Sequence, residues 1–227
     1  MTVAKFPLMF KNLVQRNEGH VNGLDDDCFE GLRSGQSPEL VSVCCSDSRV
    51  SNENMWSTGK PGWIFTSDNI GNQVWRVVDG EKVVDGNLLY PVLHTDTSNV
   101  VVVGHTGCGA VTAAYRWIEK DEQPESPGVR DCVELLLEVV SDGLGEPEVT
   151  EAKGEDETVN HLVEYSVKRQ VEFLLESDEI PEDVDIYGFV YDFQDWYGEG
   201  DGRAVPVSVN GREYGDKPSD NTANEIA

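Results

Sequence analysis

Basic residues are scarce in this chain. Lysine and arginine number 17 among 227 residues, against 43 aspartates and glutamates, so the formal net charge is −26 at pH 7. Because phosphate groups are bound by basic surfaces, this balance argues against nucleic acid or an anionic membrane as a partner. The acids are spread from Glu18 to Glu225, which fits a single acidic binding face less well than a whole-surface excess. Such an excess suggests a cytoplasm of high salt, where self-repulsion is screened.

Long apolar runs are also missing. The longest aliphatic run, residues 100–103, is far shorter than the roughly 20 residues that a membrane-spanning helix needs. Residues 1–10 lack the basic start and apolar stretch of a signal peptide, so we expect a cytoplasmic protein. Five cysteines is an odd number, and the chain is too long to need disulfides for folding. Thiols or metal ligands are therefore expected rather than disulfide bridges.

Apolar patterning alternates between strands and helices along the chain. Near-continuous apolar runs at 40–45 and 99–103 are typical of strands buried on both faces, as in parallel sheets. Further strands are predicted at 63–66, 184–191 and 204–209, and helices at 87–94, 109–120, 129–140 and 158–177. The pattern predicts one α/β domain over residues 1–210. Its mainly parallel central β-sheet is flanked by helices and has one antiparallel edge strand.

The two ends of the chain are predicted to differ from this sheet region. Residues 1–35 are expected to form an N-terminal helical arm of two short helices. An apolar stripe at 6–14 marks the first helix, and the acidic run at 25–27 suits the start of the second. Residues 211–227 are expected to form a flexible acidic tail.

Two clusters of chemically active residues follow predicted strands. Cys-Ser-Asp-Ser-Arg occupies 45–49, after the first buried strand, and His-Thr-Gly-Cys-Gly occupies 105–109, after the second buried run. Ligands bind at the carboxyl ends of strands in open α/β sheets, so Cys45, His105 and Cys108 converge if these strands are neighbours. Two thiolates and an imidazole suit tetrahedral Zn²⁺, and a catalytic zinc site has three protein ligands and one water.

Asp47 leaves the nature of this zinc site open. As a fourth ligand it would close the site, whereas a bidentate contact with Arg49 would leave it as a hydrogen-bond acceptor beside the metal. The spacing thus allows either an open site or a switch in which Asp47 closes it. Two thiolates cancel the formal charge of Zn²⁺, so its bound water should be a weaker acid than at a three-histidine site. Any activity should then rise towards alkaline pH.

These motifs resemble the β-class carbonic anhydrases, in a haloarchaeal-type form. The matching segments are Cys-Ser-Asp-Ser-Arg-Val at 45–50, Gly-His-Thr-Gly-Cys-Gly-Ala-Val at 104–111, and Gln36 with Pro38 ahead of the first strand. The resemblance covers about residues 30–210. It implies reversible hydration of carbon dioxide to bicarbonate and a proton, by attack of a zinc-bound hydroxide.

The resemblance also implies roles for individual residues and for a partner. The implied roles are Zn²⁺ ligation by Cys45, His105 and Cys108, orientation or gating of the hydroxide by Asp47 and Arg49, and substrate binding by Gln36 and Gly109. A homodimer or a multiple of dimers is implied, with N-terminal helices embracing the partner, and neither nucleic acid nor membrane is expected to bind. The chain departs from the family at 67–72, where Asp68 stands in place of Arg.

Two alternatives stay open at the level of sequence. The same metal site could serve a hydrolase of carbon disulfide or carbonyl sulfide. A non-catalytic zinc or redox-sensing protein would instead keep Asp47 locked on the metal. Comparing the turnover of carbon dioxide, carbon disulfide and carbonyl sulfide tests the hydrolase alternative. Counting the protein ligands on the metal tests the sensor alternative.

Thermal stability should depend strongly on salt. Raising KCl from about 0.1 M to about 1 M shortens the Debye length from ~10 Å to ~3 Å and screens repulsion among the surplus carboxylates. We expect the melting temperature, followed by circular dichroism across a KCl series, to rise with salt. A melting temperature that stays constant or falls would count against adaptation to high salt.

Overall fold

The computed structural model describes residues 7–214, which fall into two compact units, one up to residue 36 and one from residue 37. The first unit contains helix α1 (Leu8–Asn22), which begins after Pro7 and ends at Gly23. No residue of α1 is buried, and Leu8 and Leu13 are 75% and 58% exposed. The predicted apolar stripe therefore lies on a helix, apart from its first residue, which is outside the described range.

The second helix predicted for this unit is wrong. The backbone N–H of Cys28 donates to the carbonyl of Asp25, and that of Glu30 donates to Asp27, so each bond reaches back only three residues. The described segment at 25–32 is a series of turns. A stretch this short, bounded by glycines, cannot offset the cost of nucleating a helix.

Strands and helices alternate along the second unit. Its strands are β1 (Leu40–Cys44), β2 (Ile64–Thr66), β3 (Trp75–Val78), β4 (Glu81–Val84), β5 (Asn99–His105), β6 (Asp185–Asp192), β7 (Arg203–Val209) and β8 (Arg212–Glu213). Its helices are α2 (Asn52–Met55), α3 (Gly86–His94), α4 (Gly109–Lys120), α5 (Pro127–Gly143), α6 (Pro147–Thr150) and α7 (Glu155–Glu176). The strands and helices predicted between 40 and 209 are confirmed, with small shifts at their ends.

Six strands form the central sheet, in the order β2-β1-β5-β6-β7-β8. The first four are parallel, whereas β7 and β8 are antiparallel additions at one edge. The predicted mainly parallel sheet with an antiparallel edge is therefore confirmed. Strands β3 and β4 form a separate hairpin that was not predicted. Of the predicted tail, residues 212–213 form β8, and residues 215–227 lie outside the described residues.

The sheet is buried on both faces at its centre. Along β5, Val100 and Val102 belong to the larger apolar cluster, which includes residues of α4, α5 and α7. Val101 and Val103 belong to a smaller cluster with Cys44 and aromatic residues of β6. Because side chains alternate along a strand, these two memberships place the four valines on opposite faces. The long valine run therefore suits a strand covered on both sides.

Helix α7 packs unusually close to the sheet beside its carboxyl edge. A Cβ added at Gly104 would lie 2.7 Å from Val167 Cγ2 and 2.9 Å from Val163 Cγ1, both on α7. A Cβ at Gly188 on β6 would lie 2.9 Å from Val167 Cγ1. Two neighbouring strands therefore carry glycine where the helix crosses them, and Gly104 immediately precedes His105.

Gly104→Ala should destabilise the fold. The added methyl group would overlap two valine side chains held by the helix, so we expect a loss of about 1–3 kcal/mol in the free energy of unfolding. Chemical denaturation in high salt measures it. Gly128→Ala on α5 is the matched control, since no atom lies within 4 Å of its added Cβ. Equal stability of the two variants would contradict the close packing of α7.

Candidate metal centre

The residues at the carboxyl ends of β1 and β5 lie side by side. The two strands are parallel neighbours, and their register places Cys44 opposite Val103. Cys45 follows β1 directly, and His105 is the last residue of β5. The chain then turns at Gly107, whose φ of +63° is left-handed, and Cys108 becomes the N-cap of α4. The convergence predicted from the two motifs is therefore present.

Cys45, His105 and Cys108 form a buried cluster. Their potential ligand atoms, two Sγ atoms and one imidazole nitrogen, all lie within 4.8 Å of one another. Within residues 7–214, no other group of three or more histidine, cysteine or acidic side chains has this geometry. The spacing is that of donors around a single ion.

The imidazole of His105 is oriented for ligation. Its Nδ1 lies 3.0 Å from the carbonyl oxygen of Thr106, and since a carbonyl can only accept, Nδ1 carries the proton. The lone pair is then on Nε2, which is buried and has no hydrogen-bond partner. A backbone carbonyl that binds the far nitrogen is a usual support for a metal-binding histidine. An unsatisfied buried acceptor beside two thiols is costly unless a cation occupies that position.

The pKa values of the two thiols are shifted in opposite directions. The pKa of Cys45 is lowered to about 4, chiefly because the Cys108 thiol hydrogen-bonds to it and despite its burial. The pKa of Cys108 is raised, first by that same hydrogen bond and then by burial. The hydrogen bond between the two sulfurs thus favours a thiolate on Cys45 and a thiol on Cys108. Two soft sulfur donors and one imidazole nitrogen suit Zn²⁺.

Asp47 faces this cluster but is bound by Arg49. Asp47 Oδ1 accepts hydrogen bonds from the backbone N–H and the Nε of Arg49, both at 2.9 Å, and Oδ2 accepts from Nη2 at 2.7 Å. These bonds hold the pKa of Asp47 well below its usual range, and they raise the pKa of Arg49. Oδ2 lies 3.9 Å from His105 Nε2. Of the two arrangements that the sequence allowed, this is the one with Asp47 held by Arg49.

The two predicted substrate-binding residues lie in different places. Gly109 is exposed at the start of α4, next to Cys108, and nothing lies within 4 Å of an added Cβ. Gln36 belongs to the first unit, where its side chain is exposed. Asp68, the departure from the family pattern, accepts a hydrogen bond from Asn52 Nδ2 at 2.9 Å, and burial raises its pKa. The roles of Gln36 and Gly109 stay predictions.

A third strand end contributes one residue that sequence reasoning missed. Phe193 follows β6, and its ring stacks on the imidazole of His105. The guanidinium of Arg49 lies over the same ring. The only signal in the sequence is an aromatic residue directly after a predicted strand. Such a residue is usually explained by packing alone and does not by itself indicate a functional site.

Comparison with known proteins identifies the family. The family model described as carbonic anhydrase matches residues 40–199. Carbonic anhydrase 2 of Mycobacterium tuberculosis is 32% identical over 167 residues, which are 69% of this chain and 77% of that protein. This chain belongs to the carbonic anhydrase family.

Solved structures place the chain in the β class. The Coccomyxa β-carbonic anhydrase, solved with acetazolamide, is 25% identical with a TM-score of 0.62, covering 84% of this chain and 83% of that one. A tetrameric β-carbonic anhydrase of Sordaria macrospora shares the fold at 21% identity, with a TM-score of 0.70 over 89% of this chain and 98% of that one. Within residues 7–214, no helix has the length and apolarity to cross a bilayer.

Cys108→Ser should abolish stoichiometric metal binding. The hydroxyl of serine stays protonated where a thiolate is needed, so we expect about one metal ion per chain in the unaltered protein and almost none in the variant. Elemental analysis after dialysis measures this. Cys132→Ser, which changes a half-buried thiol on α5, is the matched control and should keep its metal. Full metal content in Cys108→Ser would remove Cys108 from the ligand set.

Proposed function

We propose that this chain catalyses the reversible hydration of carbon dioxide to bicarbonate and a proton, with Zn²⁺ as cofactor. The observation that carries the proposal is the buried cluster of two cysteine sulfurs and an unpartnered histidine nitrogen, with Asp47 bound to Arg49 beside it. Membership of the carbonic anhydrase family supports the same reaction.

The metal ligands would be Cys45, His105 and Cys108. When bound, zinc supplies a Lewis acid that lowers the pKa of water and so makes it a better nucleophile. The protein holds the donors in advance: the Thr106 carbonyl fixes the tautomer of His105, and the N-terminus of α4 carries Cys108. The pKa of Cys108 is raised by the hydrogen bond with Cys45 and by burial, and the backbone N–H groups of Val111 and Ala110 oppose that rise.

Asp47 acts as an oriented hydrogen-bond acceptor. An ionised carboxylate has about four acceptor positions, and three of them are taken by Arg49, two on Oδ1 and one on Oδ2. The remaining position is on Oδ2, the oxygen nearer His105 Nε2. Because Arg49 keeps Asp47 ionised, Asp47 can accept a hydrogen bond from a donor at the metal position but does not itself donate. A donor held in this way directs its own lone pair towards the substrate.

The working form would be a homodimer or a multiple of dimers. Helix α1 leaves apolar side chains exposed along its length, among them Leu8, Met9 and Val21. Several exposed apolar side chains on one helix are the kind of surface that a protein–protein interface covers. The tetrameric state of the Sordaria macrospora relative supports the proposal.

Carbon dioxide hydration should be fast in the unaltered protein and much slower in Asp47→Asn. The amide replaces an acceptor by a donor facing Arg49, so we expect kcat to fall roughly 10–100-fold while the zinc content stays at one per chain. Stopped-flow hydration in molar KCl measures this. Asp183→Asn is the matched control, since Asp183 is exposed and precedes the opposite end of β6.

The rate of carbon dioxide hydration by the unaltered protein should also rise from about pH 6 to about pH 9, because two thiolates weaken the acidity of metal-bound water.

Three results would count against this function. A flat rate between those pH values contradicts the mechanism. Faster turnover of carbon disulfide or carbonyl sulfide than of carbon dioxide would favour the hydrolase alternative. Four protein ligands on zinc at every pH, seen by X-ray absorption, would favour the non-catalytic sensor in which Asp47 closes the site.

A further inference from the structure

The ring of Phe193 contacts two groups of the site that come from different strands. The guanidinium carbon of Arg49 lies 4.4 Å from the ring centroid, over its face. The imidazole of His105 stacks on the ring at a centroid separation of 5.6 Å and an interplanar angle of 26°. One side chain at the end of β6 thus contacts the arginine that binds Asp47 and a predicted metal ligand.

The backbone of Phe193 is itself fixed to the residue that follows His105. The N–H of Phe193 donates to Thr106 Oγ1 at 3.2 Å, and that hydroxyl donates to Asp192 Oδ1 at 3.3 Å. The buried carboxylate of Asp192 also accepts from the N–H groups of Gln194 and Tyr197, each at 3.0 Å. The turn after β6 is therefore closed by several hydrogen bonds, which fix the backbone from which the ring of Phe193 projects.

The pair of Asp47 and Arg49 needs such a support. The Arg49 side chain is 53% exposed, and a solvent-exposed ion pair of neighbouring residues contributes little on its own. A guanidinium stacked on an aromatic face gains a cation–π attraction and loses rotational freedom. Its edge then stays directed at the carboxylate, which fits the three hydrogen bonds between the two residues.

Phe193 does not belong to either apolar cluster of the described residues. Phe189, on the preceding strand β6, does pack against the smaller cluster, where the centroid of its ring lies 5.2 Å from that of Trp56. The recorded ring contacts of Phe193 are with Arg49, His105 and Tyr191. The ring of Phe193 therefore contacts groups of the site, whereas that of Phe189 packs against an apolar cluster.

We propose that Phe193 is a positioning residue, whose ring holds Arg49 so that both oxygens of Asp47 stay bound to Arg49 and away from the metal position. The inference rests on the proposed function only in naming zinc and carbon dioxide. Without the ring, Arg49 moves more freely, and Asp47 competes with exogenous ligands for the metal. The residue thereby keeps one coordination position accessible.

Phe193→Leu tests the proposal in the protein loaded with Co²⁺, whose visible absorption reports its ligands. Azide titration should show about five- to tenfold weaker binding than in the unaltered protein, the size that a lost cation–π contact supports. In the zinc form, kcat for carbon dioxide should fall by a similar factor with KM little changed. Phe193→Tyr keeps the ring and should restore both values, and Phe189→Leu, the matched control, should leave both unchanged.

A double-mutant cycle separates positioning from general damage. Arg49→Lys keeps the charge but loses the planar, bidentate contact, so adding Phe193→Leu to it should weaken azide binding no further. Independent effects in the double variant, or unchanged azide binding in Phe193→Leu, would overturn the proposal. If the unaltered protein binds azide but does not hydrate carbon dioxide, the proposed function fails while the azide results still decide the role of Phe193.

Discussion

The parallel pairing of β1 with β5 is the constraint on which the site depends. It brings the ends of two distant strands to one edge of the sheet, where Cys45 directly follows β1 and His105 is the last residue of β5. A slip of one residue would turn Cys45 or His105 to the opposite face and separate the donors. The contact of Gly104 with α7 opposes such a slip, because only a residue without a Cβ fits under Val167. Gly104 thus determines how closely α7 packs on the sheet, and the next residue, His105, belongs to the candidate metal centre.

Charge balance at this edge explains why Arg49 stands there in so acidic a chain. Two thiols and the carboxylate of Asp47 gather against one guanidinium. Thiolates on Cys45 and Cys108 leave this group with a net negative charge that a divalent cation neutralises. The Cys45 hydrogen bond and burial raise the pKa of Cys108, which favours its protonated form. Because thiolate ligands must lose their protons, a metal bound here would couple its binding to deprotonation.

Much of the sheet and the three donor residues could be predicted, because buried valine runs and paired motifs are local signals. The runs at 40–44 and 99–105 needed no knowledge of the fold to be recognised as buried strands. The hairpin of β3 and β4 was missed although Asp79 and Gly80 form its turn, since Val77 and Val78 are exposed and give no apolar alternation. The acidic run at 25–27 led to the prediction of a helix that is absent from the described residues, because residues that cap helices also favour turns.

The contacts of Phe193 could not be predicted from the residues around it in the sequence. Its neighbours Arg49 and His105 are 144 and 88 positions away, and their meeting depends on β6 lying next to β5 on the side opposite β1. Strand order is set by which helices cover which face, a property of the whole sheet. The donors could be predicted because two strand ends suffice to assemble them, whereas the support of Asp47 requires a third. A cluster that two strand ends assemble is therefore easier to infer from sequence than a residue that supports it from a third strand.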